Sequence, residues 1–294
     1  MDKMPMDRLK VSGFHRRIPH LVAERQGFFA REDLEVEFQP VTYSPDHSAE
    51  MAAGKWHLSL SSADKMIALN TCEGMDYVLV LQAEEGLSAT IVGRQGMTAL
   101  QDLRGATMAS DNGTNLDTIR AKILKDHGIG EESYKTLSIG NSKMRLEAFL
   151  AGQVDGAILT SPWREQAINA GAVPLAEAAD TVPHWPLVCG WGLRAWIADH
   201  RETMVRFIRA LADAADWALA PANREAALGA LMEAQKVSRD RAAQAHALIV
   251  PKVRVNPAAI QTVIDLRIEM GAYPPPHDPP ERFYDLSYWS EATA

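Results

Sequence analysis

Two stretches of the sequence, 52–62 and 150–160, repeat one pattern and constrain the fold more than any other feature. In each, an apolar helical segment ends in Ala-Gly, a short apolar strand follows, and a small hydroxyl residue stands where the strand ends. The equivalent positions, 98 residues apart, are Gly54 and Gly152, Leu60 and Ile158, and Ser62 and Thr160. Because glycine tolerates the positive φ that ends many helices, the repeat predicts two similar α/β lobes.

The repeat also predicts where a ligand binds. In open α/β sheets, ligands lie beyond the carboxyl ends of the strands, so Ser62 and Thr160 are expected to face a shared cleft. We therefore expect two lobes, each a mixed sheet flanked by helices. Residues 1–86 and 190–294 are assigned to lobe I and 87–189 to lobe II, with a hinge near 82–91 and 184–191.

Composition narrows the classes of partner. The 294 residues suit two domains of ordinary size, and the net charge of −8 argues against nucleic acid or an anionic membrane as the main partner. Cys72 and Cys189 are far apart, and the histidines lack ligand spacing, so neither a metal nor a cofactor is predicted. No apolar run is long enough to span a membrane.

The first residues lack the apolar core of a secretory leader. The sequence as written is therefore expected to be cytoplasmic, or periplasmic if a leader was trimmed.

Hydrophobic patterning predicts alternating strands and helices up to about residue 192, followed by a mostly helical remainder. The clearest helix is 199–220, whose apolar residues recur with the helical period. The predicted strands are 9–12, 34–38, 58–60, 77–81, 89–93, 106–109, 136–139 and 154–159.

The first loop is the most unusual stretch. Phe14, His15 and Arg16 lie in it and are candidate ligand contacts, with Arg17 beside them. Arginine binds carboxylate and sulfonate through a planar fork, and a helix start adds free N–H groups. The alternative is that both arginines are solvated surface charges.

A second candidate is the turn Asn112, Gly113, Thr114 and Asn115, which opens a predicted helix. Free N–H groups at a helix start can hold an anion. The same residues could simply cap the helix.

Hydroxyl residues end the two repeat strands. Ser61, Ser62 and Thr160 would orient a ligand by hydrogen bonds, or cap the helices that follow. Since no general base lies beside them in sequence, a nucleophilic serine is unsupported. Trp185 could stack on a planar ligand or pack in the core.

His15 and Glu84 are the two candidate catalytic residues. A carboxylate close to His15 could form an acid–base pair, bind a ligand amine, or simply face solvent. Lys65 could be a desolvated amine, but a surface lysine is the favoured interpretation.

The order of these segments resembles the type II periplasmic-binding-protein fold. It is similar to the branch that contains nitrate, sulfonate, taurine and thiamine-precursor binding proteins and the NMT1/THI5-like pyrimidine synthases. The similarity is carried by 19–29, 34–37, Ala53-Gly54-Lys55, Asp102-Leu103-Arg104-Gly105, 151–155 and Asp285-Leu286-Ser287-Tyr288.

Departures from that family bear on function. His57 replaces the aspartate of the first Ala-Gly-x-x-Asp turn, and Lys65 stands where the synthases have their substrate histidine. The cysteine-rich motif of the synthases is missing. Phe14 and His15 occupy the loop where a related desulfinase family has its cysteine, which excludes a thiol nucleophile at that place.

The resemblance implies an ABC-transporter-like solute-binding protein that closes its lobes on a small ligand bearing a carboxylate or sulfonate. Its implied partners are that ligand and, if the chain is exported, an ABC permease, and a monomer is expected. The alternative is a cytoplasmic enzyme on the same fold, of decarboxylase or lyase type, acting on a small organic acid.

Overall fold

The computed structural model describes residues 6–41, 44–110 and 115–294. The chain separates into two compact units. Unit 1 comprises Met1–Glu85, Pro186–Gln261 and Pro274–Ala294, and unit 2 comprises Gly86–Trp185 and Thr262–Tyr273. The segment Thr262–Tyr273, which the sequence analysis places in lobe I, therefore groups with unit 2.

Unit 1 contains a five-stranded mixed sheet in the order β2-β1-β3-β10-β4. Its strands are β1 (Asp7–Gly13), β2 (Leu34–Pro40), β3 (Leu58–Ser61), β4 (Tyr77–Glu85) and β10 (Pro186–Leu193). Strand β1 is parallel to both β2 and β3, whereas β10 is antiparallel to β3 and β4. The carboxyl ends of β1, β2 and β3 therefore lie along one edge of the sheet.

Unit 2 has a second sheet with the same arrangement, in the order β7-β6-β8-β5-β9. Its strands are β5 (Ala89–Gly93), β6 (Thr107–Ser110), β7 (Lys135–Ser138), β8 (Gly156–Thr160) and β9 (Val173–Glu177). Strand β6 is parallel to β7 and β8, and β5 is antiparallel to β8 and β9. The expectation of two similar α/β lobes is confirmed.

Helices flank both sheets. Those of unit 1 are α1 (Ile18–Arg25), α2 (Phe28–Arg31), α3 (Ser44–Ala52), α4 (Ala63–Glu73), α9 (Arg194–Asp199), α10 (Arg201–Leu219), α11 (Arg224–Gln235), α12 (Arg239–His246) and α14 (Ser287–Ala292). Those of unit 2 are α5 (Asn115–Asp126), α6 (Ser142–Leu150), α7 (Trp163–Asn169) and α8 (Ala178–Thr181). The unit boundary falls inside α13 (Pro257–Glu269). No helix in the described part of the chain is long and apolar enough to cross a membrane.

The two repeat copies end their helices in the same way. Gly54 and Gly152 have φ of 69° and 73°. In each copy the glycine N–H bonds three residues back and the next N–H bonds five residues back, which is the Schellman motif. This shared ending turns the chain directly into β3 and β8.

His57 and Asp155 occupy equivalent positions just before those strands. The backbone N–H of Lys10 donates to His57 Nδ1 at 3.2 Å, and that of Thr107 donates to Asp155 Oδ2 at 2.8 Å. In return, the N–H of His57 donates to the carbonyl of Lys10, and the N–H of Asp155 donates to the carbonyl of Thr107. The imidazole therefore makes the contact that the carboxylate makes in the second copy, which explains how the first copy departs from the Ala-Gly-x-x-Asp pattern without losing the turn.

The core of unit 1 lies where α10 packs against α1 and α2. The predicted apolar stripe of α10 is confirmed, since Met204, Phe207, Ile208, Leu211 and Ala215 are all buried. The ring of Phe207 stacks on Phe29 with a centroid distance of 5.7 Å. Unit 2 has its own smaller core around Val92, Phe149 and Leu159.

Sequence patterning missed several short elements, among them β9 and α12, and shortened β4. Strand β9 contains Pro174 and α12 is strongly polar, so neither gave a clear periodic signal. Strand β4 was predicted to end at Leu81, but it continues to Glu85 because its polar residues find partners. Gln82 and Glu84 are thus fully buried within this strand.

Candidate functional site

The carboxyl edge of the unit 1 sheet brings together the ends of β1 and β3 and the start of α4. Gly13 pairs with Leu60, so the two strands end side by side. Ser62 follows β3 and caps α4, with its hydroxyl accepting the N–H of Asp64. Lys65 lies in the first turn of α4, which puts a cation directly beyond the strand ends.

A chain of three polar side chains crosses this region, and we call it the Ser12–His47–Lys65 relay. Ser12 Oγ lies 2.7 Å from His47 Nε2, and His47 Nδ1 lies 3.1 Å from Lys65 Nζ. Ser12 donates its own proton to the carbonyl of Leu58 at 3.2 Å. Ser12 must then accept from Nε2–H, so we assign this tautomer and Nδ1 accepts from Lys65.

Burial sets the charges in the relay. Burial and, secondly, the nearby Lys65 charge lower the pKa of His47 to about 4. Burial also lowers the pKa of Lys65 to about 8, against a weaker raising effect of Glu73. At neutral pH the relay thus holds a neutral imidazole and a mostly protonated amine that titrates about two units below an ordinary lysine. The favoured interpretation of Lys65 as a surface lysine does not fit this environment.

Beside the relay, Ser61 lies inside the sheet rather than at an open surface. Its Oγ lies 2.8 Å from Ser59 Oγ and accepts from the indole N–H of Trp191 at 3.1 Å. All three side chains are buried. Ser61 therefore serves the packing of β3 against β10, whereas Ser62 is half-buried and caps α4.

The first loop contains a buried ion pair. Arg17 and Glu84 face each other as a fork, with Nε donating to Oε1 at 2.8 Å and a second contact between the other atoms. The Glu84 side chain is fully buried and that of Arg17 is 16% exposed. Burial disfavours the charge of Arg17, but Glu84 outweighs it and the pKa of the guanidinium is raised. The sequence left open that Arg17 and Glu84 are solvated surface charges, and in the structure neither of them is.

His15 and Glu84 are not joined in the acid–base pair considered from the sequence, because Arg17 is the partner of the carboxylate. The His15 ring reaches the surface, but neighbouring atoms partly desolvate it. This desolvation, together with the charges of Arg17 and Arg241, lowers the pKa of His15. Both cations favour a neutral imidazole.

The other two candidates of the loop are exposed. Arg16 pairs with Glu24 at 3.1 Å, and half of its side chain is in solvent. Phe14 is 50% exposed, which is unusual for a large apolar residue. Their assignment as ligand contacts stays a prediction.

The carboxyl edge of unit 2 has a different chemistry. Thr160 ends β8 and is half-buried, and its Oγ1 lies 3.1 Å from Ser142 Oγ at the start of α6. The buried guanidinium of Arg145 donates to Ser142 Oγ, to the Ile158 carbonyl and to the Gly140 carbonyl at 2.6–3.0 Å. These bonds fix a group of hydroxyls beside the strand end.

The remaining candidates of unit 2 divide into three cases. Asn112, Gly113 and Thr114 lie outside the described residues. Asn115 is the first residue of α5 and is half-buried. Trp185 is fully buried, and its indole N–H finds no acceptor among the residues that the structure describes.

A cavity of about 360 Å³ opens in unit 1 between β1, β2 and α3. Ser12 and His47 of the relay form part of its wall, together with Gln39, Glu50 and Trp56. This volume lies within the usual range for small-molecule sites. In the described ranges, no group of three or more His, Cys, Asp or Glu residues is placed to hold a metal ion.

Sequence reasoning missed His47 and Ser12 altogether and undervalued Lys65. The three lie on β1, α3 and α4, and their side chains meet only in the folded chain. Ser12 carried one weak signal, since it is a polar residue at the end of an apolar strand.

Several proteins of known structure are similar to this chain over most of its length. The aliphatic sulphonate binding protein SsuA of Escherichia coli is similar, with TM-score 0.77, 18% identity and coverage of 96% of this chain and 99% of that chain. The nitrate-binding protein NrtA of Synechocystis has TM-score 0.73, 14% identity and coverages of 98% and 88%. The desulfurization enzyme DSZB has TM-score 0.74, 13% identity and coverages of 98% and 99%.

These similarities show the type II periplasmic-binding-protein fold. The NMT1/THI5 like family model matches residues 16–224, which is well over half of the chain. The protein therefore belongs to the NMT1/THI5-like family. A search of curated protein sequences finds no match.

Proposed function

We propose that this protein binds a small anionic solute, bearing a carboxylate or sulfonate, and that the carboxyl edge of unit 1 holds the charged group. The observation that carries the proposal is the meeting of β1 and β3 at the start of α4. There Ser62 follows β3 and caps α4, and Lys65 stands in the first turn of the same helix with its amine 3.1 Å from His47 Nδ1. In sheets of this type that edge is where ligands bind.

Charge and surroundings support an anion. His47 cannot neutralise Lys65, because it is itself uncharged at neutral pH. A partly desolvated cation attracts an anion more strongly than a solvated one does. Arg17 is not proposed to contribute, since its fork is already filled by Glu84.

Two of the similar structures support the ligand class, since their names describe sulphonate and nitrate binding. By the same similarity we propose a periplasmic location and an ABC permease as partner. Phe14, Asn115 and Thr160 remain proposed ligand contacts.

The enzymatic alternative has less support. One similar structure is a desulfurization enzyme, so the fold accommodates catalysis. Here, however, the carboxylate considered as a partner for His15 is engaged by Arg17. Among the described residues of the first loop, no nucleophile with an adjacent base is assembled.

The test is isothermal titration of the purified chain with nitrate, ethanesulfonate and benzoate at pH 7, followed by NMR of each ligand after a day with the protein. The proposal expects at least one anion to bind and to be recovered unchanged. Lys65→Met should weaken binding about 10–100-fold, the usual effect of losing a charged hydrogen bond.

Lys125→Met is the matched control, because Lys125 is a half-exposed lysine of unit 2 and should leave the affinity unchanged. Absence of binding to every anion, or equal affinities for the two variants, would refute the proposal. Conversion of a bound anion would favour the enzyme.

A further inference from the structure

We propose that Lys65 is the charge-carrying residue of the solute site, that His47 is its positioning residue, and that above neutral pH the anion binds together with a proton. This inference rests on the proposed function and adds to it a coupling between solute and proton. It concerns the Ser12–His47–Lys65 relay.

The Ser12–His47–Lys65 relay holds the Lys65 amine in place through a chain of hydrogen bonds. Its far end is the carbonyl of Leu58, a backbone atom of β3, which orients the Ser12 hydroxyl. Ser12 orients the ring of His47, whose residue is only 3% exposed and also lies edge-on to the Trp191 ring at 6.3 Å. The imidazole therefore cannot turn freely, and Nδ1 presents one lone pair in a fixed direction to Lys65.

A lysine at this place is disfavoured for two independent reasons. It lies in the first turn of α4, where the helix dipole disfavours cations. Its amine is also partly removed from water and contacts a neutral acceptor. An anion at the strand ends would reverse both effects, because it stabilises the charged amine in place of the missing solvation.

Titratable groups lie on α4 itself and on the elements packed against it. Glu73 lies on the same helix and favours the charged form. On α3, His47 contacts Lys65 and Glu50 acts on His47. On the strands packed against α4, Tyr77 interacts with Glu73, and Cys189 contacts the backbone of Ala63. Burial raises the pKa of both Tyr77 and Cys189, so Lys65 is the member of this set that changes charge between pH 7 and 9.5.

The direction of the coupling follows from the sign of the shift. The free site loses its proton near pH 8, whereas the anion-bound site holds it. Above pH 8 the anion must therefore bring a proton with it, and its apparent affinity should fall roughly 10-fold per pH unit. Between pH 7 and 9.5 the total loss is roughly 30-fold.

The first experiment measures the affinity for ethanesulfonate and nitrate, which do not titrate in this range, by calorimetry at pH 7, 8 and 9.5. The wild-type chain should lose roughly 30-fold and take up a proton on binding at pH 8–9. Lys65→Arg should still bind with nearly constant affinity, because arginine stays charged. Lys125→Arg is the matched control and should retain the wild-type pH profile.

His47 is tested by two substitutions. His47→Leu removes the acceptor and should weaken binding about 10-fold at pH 7, because the ammonium is no longer held in place. His47→Gln supplies a carbonyl oxygen of similar reach and should recover most of the loss. A purely structural role for His47 would lower stability without this selective rescue of affinity.

A ligand-free measurement keeps the inference testable if a variant fails to fold. Acetylation of the wild-type chain with acetic anhydride across pH, read by mass spectrometry, gives the midpoint at which each amine becomes reactive. We expect about 8 for Lys65, against about 10.4 for an ordinary lysine.

The outcomes separate the two proposals. Anion binding that is constant from pH 7 to 9.5, or a Lys65 midpoint near 10, would overturn the coupling and leave anion binding intact. If no anion binds, the proposed function fails and the coupling fails with it.

Discussion

The two units share one backbone plan, but the carboxyl edges of their sheets carry different chemistry. In unit 1 the edge has ionisable groups, namely the relay and the buried pair of Arg17 and Glu84. In unit 2 the hydroxyls of Ser142 and Thr160 lie at the described part of the edge, with Arg145 behind them. Ser110 and Ser161, at the ends of β6 and β8, contact the carboxylates of Asp117 and Glu165, which pair with Arg120 and Arg164. The strand order and pairing directions are nonetheless the same in both sheets.

The comparison shows that the repeat conserves the backbone structure, whereas the side chains at the strand ends differ between the two copies. The Schellman turns at Gly54 and Gly152 are matched bond for bond, because any change there would misdirect the following strand. The residues beyond the strand ends do not determine the strand pairing. They could therefore come to differ in chemistry between the two copies.

The largest expected effect concerns the buried ion pair of unit 1. Glu84→Gln leaves Arg17 buried without its carboxylate and should lower the free energy of unfolding by about 3–5 kcal/mol. Ser142→Ala in unit 2 should cost about 1–2 kcal/mol, since it removes the bonds to Thr160 and one bond from Arg145, whose guanidinium keeps its two carbonyl partners. Denaturant titration measures both.

Arg16→Met is the surface control in the same loop and should change stability by less than about 0.5 kcal/mol. Equal losses for Glu84→Gln and Ser142→Ala would break the comparison.

The second effect is acid sensitivity of unit 1. Because the pKa of His47 is about 4 in the folded protein and about 6.5 when unfolded, the folded state binds fewer protons below pH 6.5. Stability that is fully present above pH 6.5 is then lost as the pH falls towards 4, by up to about 3 kcal/mol. His47→Gln should flatten this part of the curve of unfolding free energy against pH. A slope that survives the substitution would place its origin elsewhere.

The third effect compares two equivalent glycines opposite the repeat strands. A Cβ at Gly192 would lie 2.4 Å from the backbone carbonyl oxygen of His57, which cannot move away. A Cβ at Gly93 would meet only the side chains of Met97 and Leu175, at 2.6 and 2.7 Å. Gly192→Ala should therefore cost about 3 kcal/mol and Gly93→Ala about 1 kcal/mol in thermal or chemical unfolding. The reverse order would contradict the packing described for β10 and β5.

The smallest effect concerns the turn residues of the two copies. His57→Asp should keep the bond to the Lys10 N–H and change stability at pH 7 by less than about 0.5 kcal/mol, whereas His57→Leu should cost about 1 kcal/mol. Burial, with the charges of Lys10 and His200, lowers the pKa of His57. The native histidine thus stabilises the turn above pH 6.5 and loses this effect as the pH falls, and His57→Asp should remove that loss. Equal stability of the Leu and Asp variants would refute the acceptor role.

The sequence was sufficient for the repeat and for the two-lobed α/β fold, because glycine turns and apolar strands leave local patterns. The sequence did not predict the elements whose formation depends on tertiary contacts. Pro174 weakens the signal of β9, yet proline is tolerated there because β9 is an edge strand. The helix α12 has few apolar residues, although its N-cap, Ser238, was a readable signal.

The candidate site was less predictable than the fold. His47 and Lys65 lie on different helices, and no periodicity indicates that their side chains meet. Glutamate is rarely buried, and the sequence left open that Glu84 faces solvent, but Arg17, distant in the chain, makes its burial possible. Which side chains pair across a fold depends on register and rotamer, and one sequence specifies neither locally.

The histidine at position 57 gives the duplicated scaffold unequal tolerance of acid. Its counterpart in the second copy is the carboxylate of Asp155, whereas the imidazole of His57 loses its acceptor nitrogen when it is protonated. On mild acidification the first turn should therefore lose its bond to the Lys10 N–H and loosen.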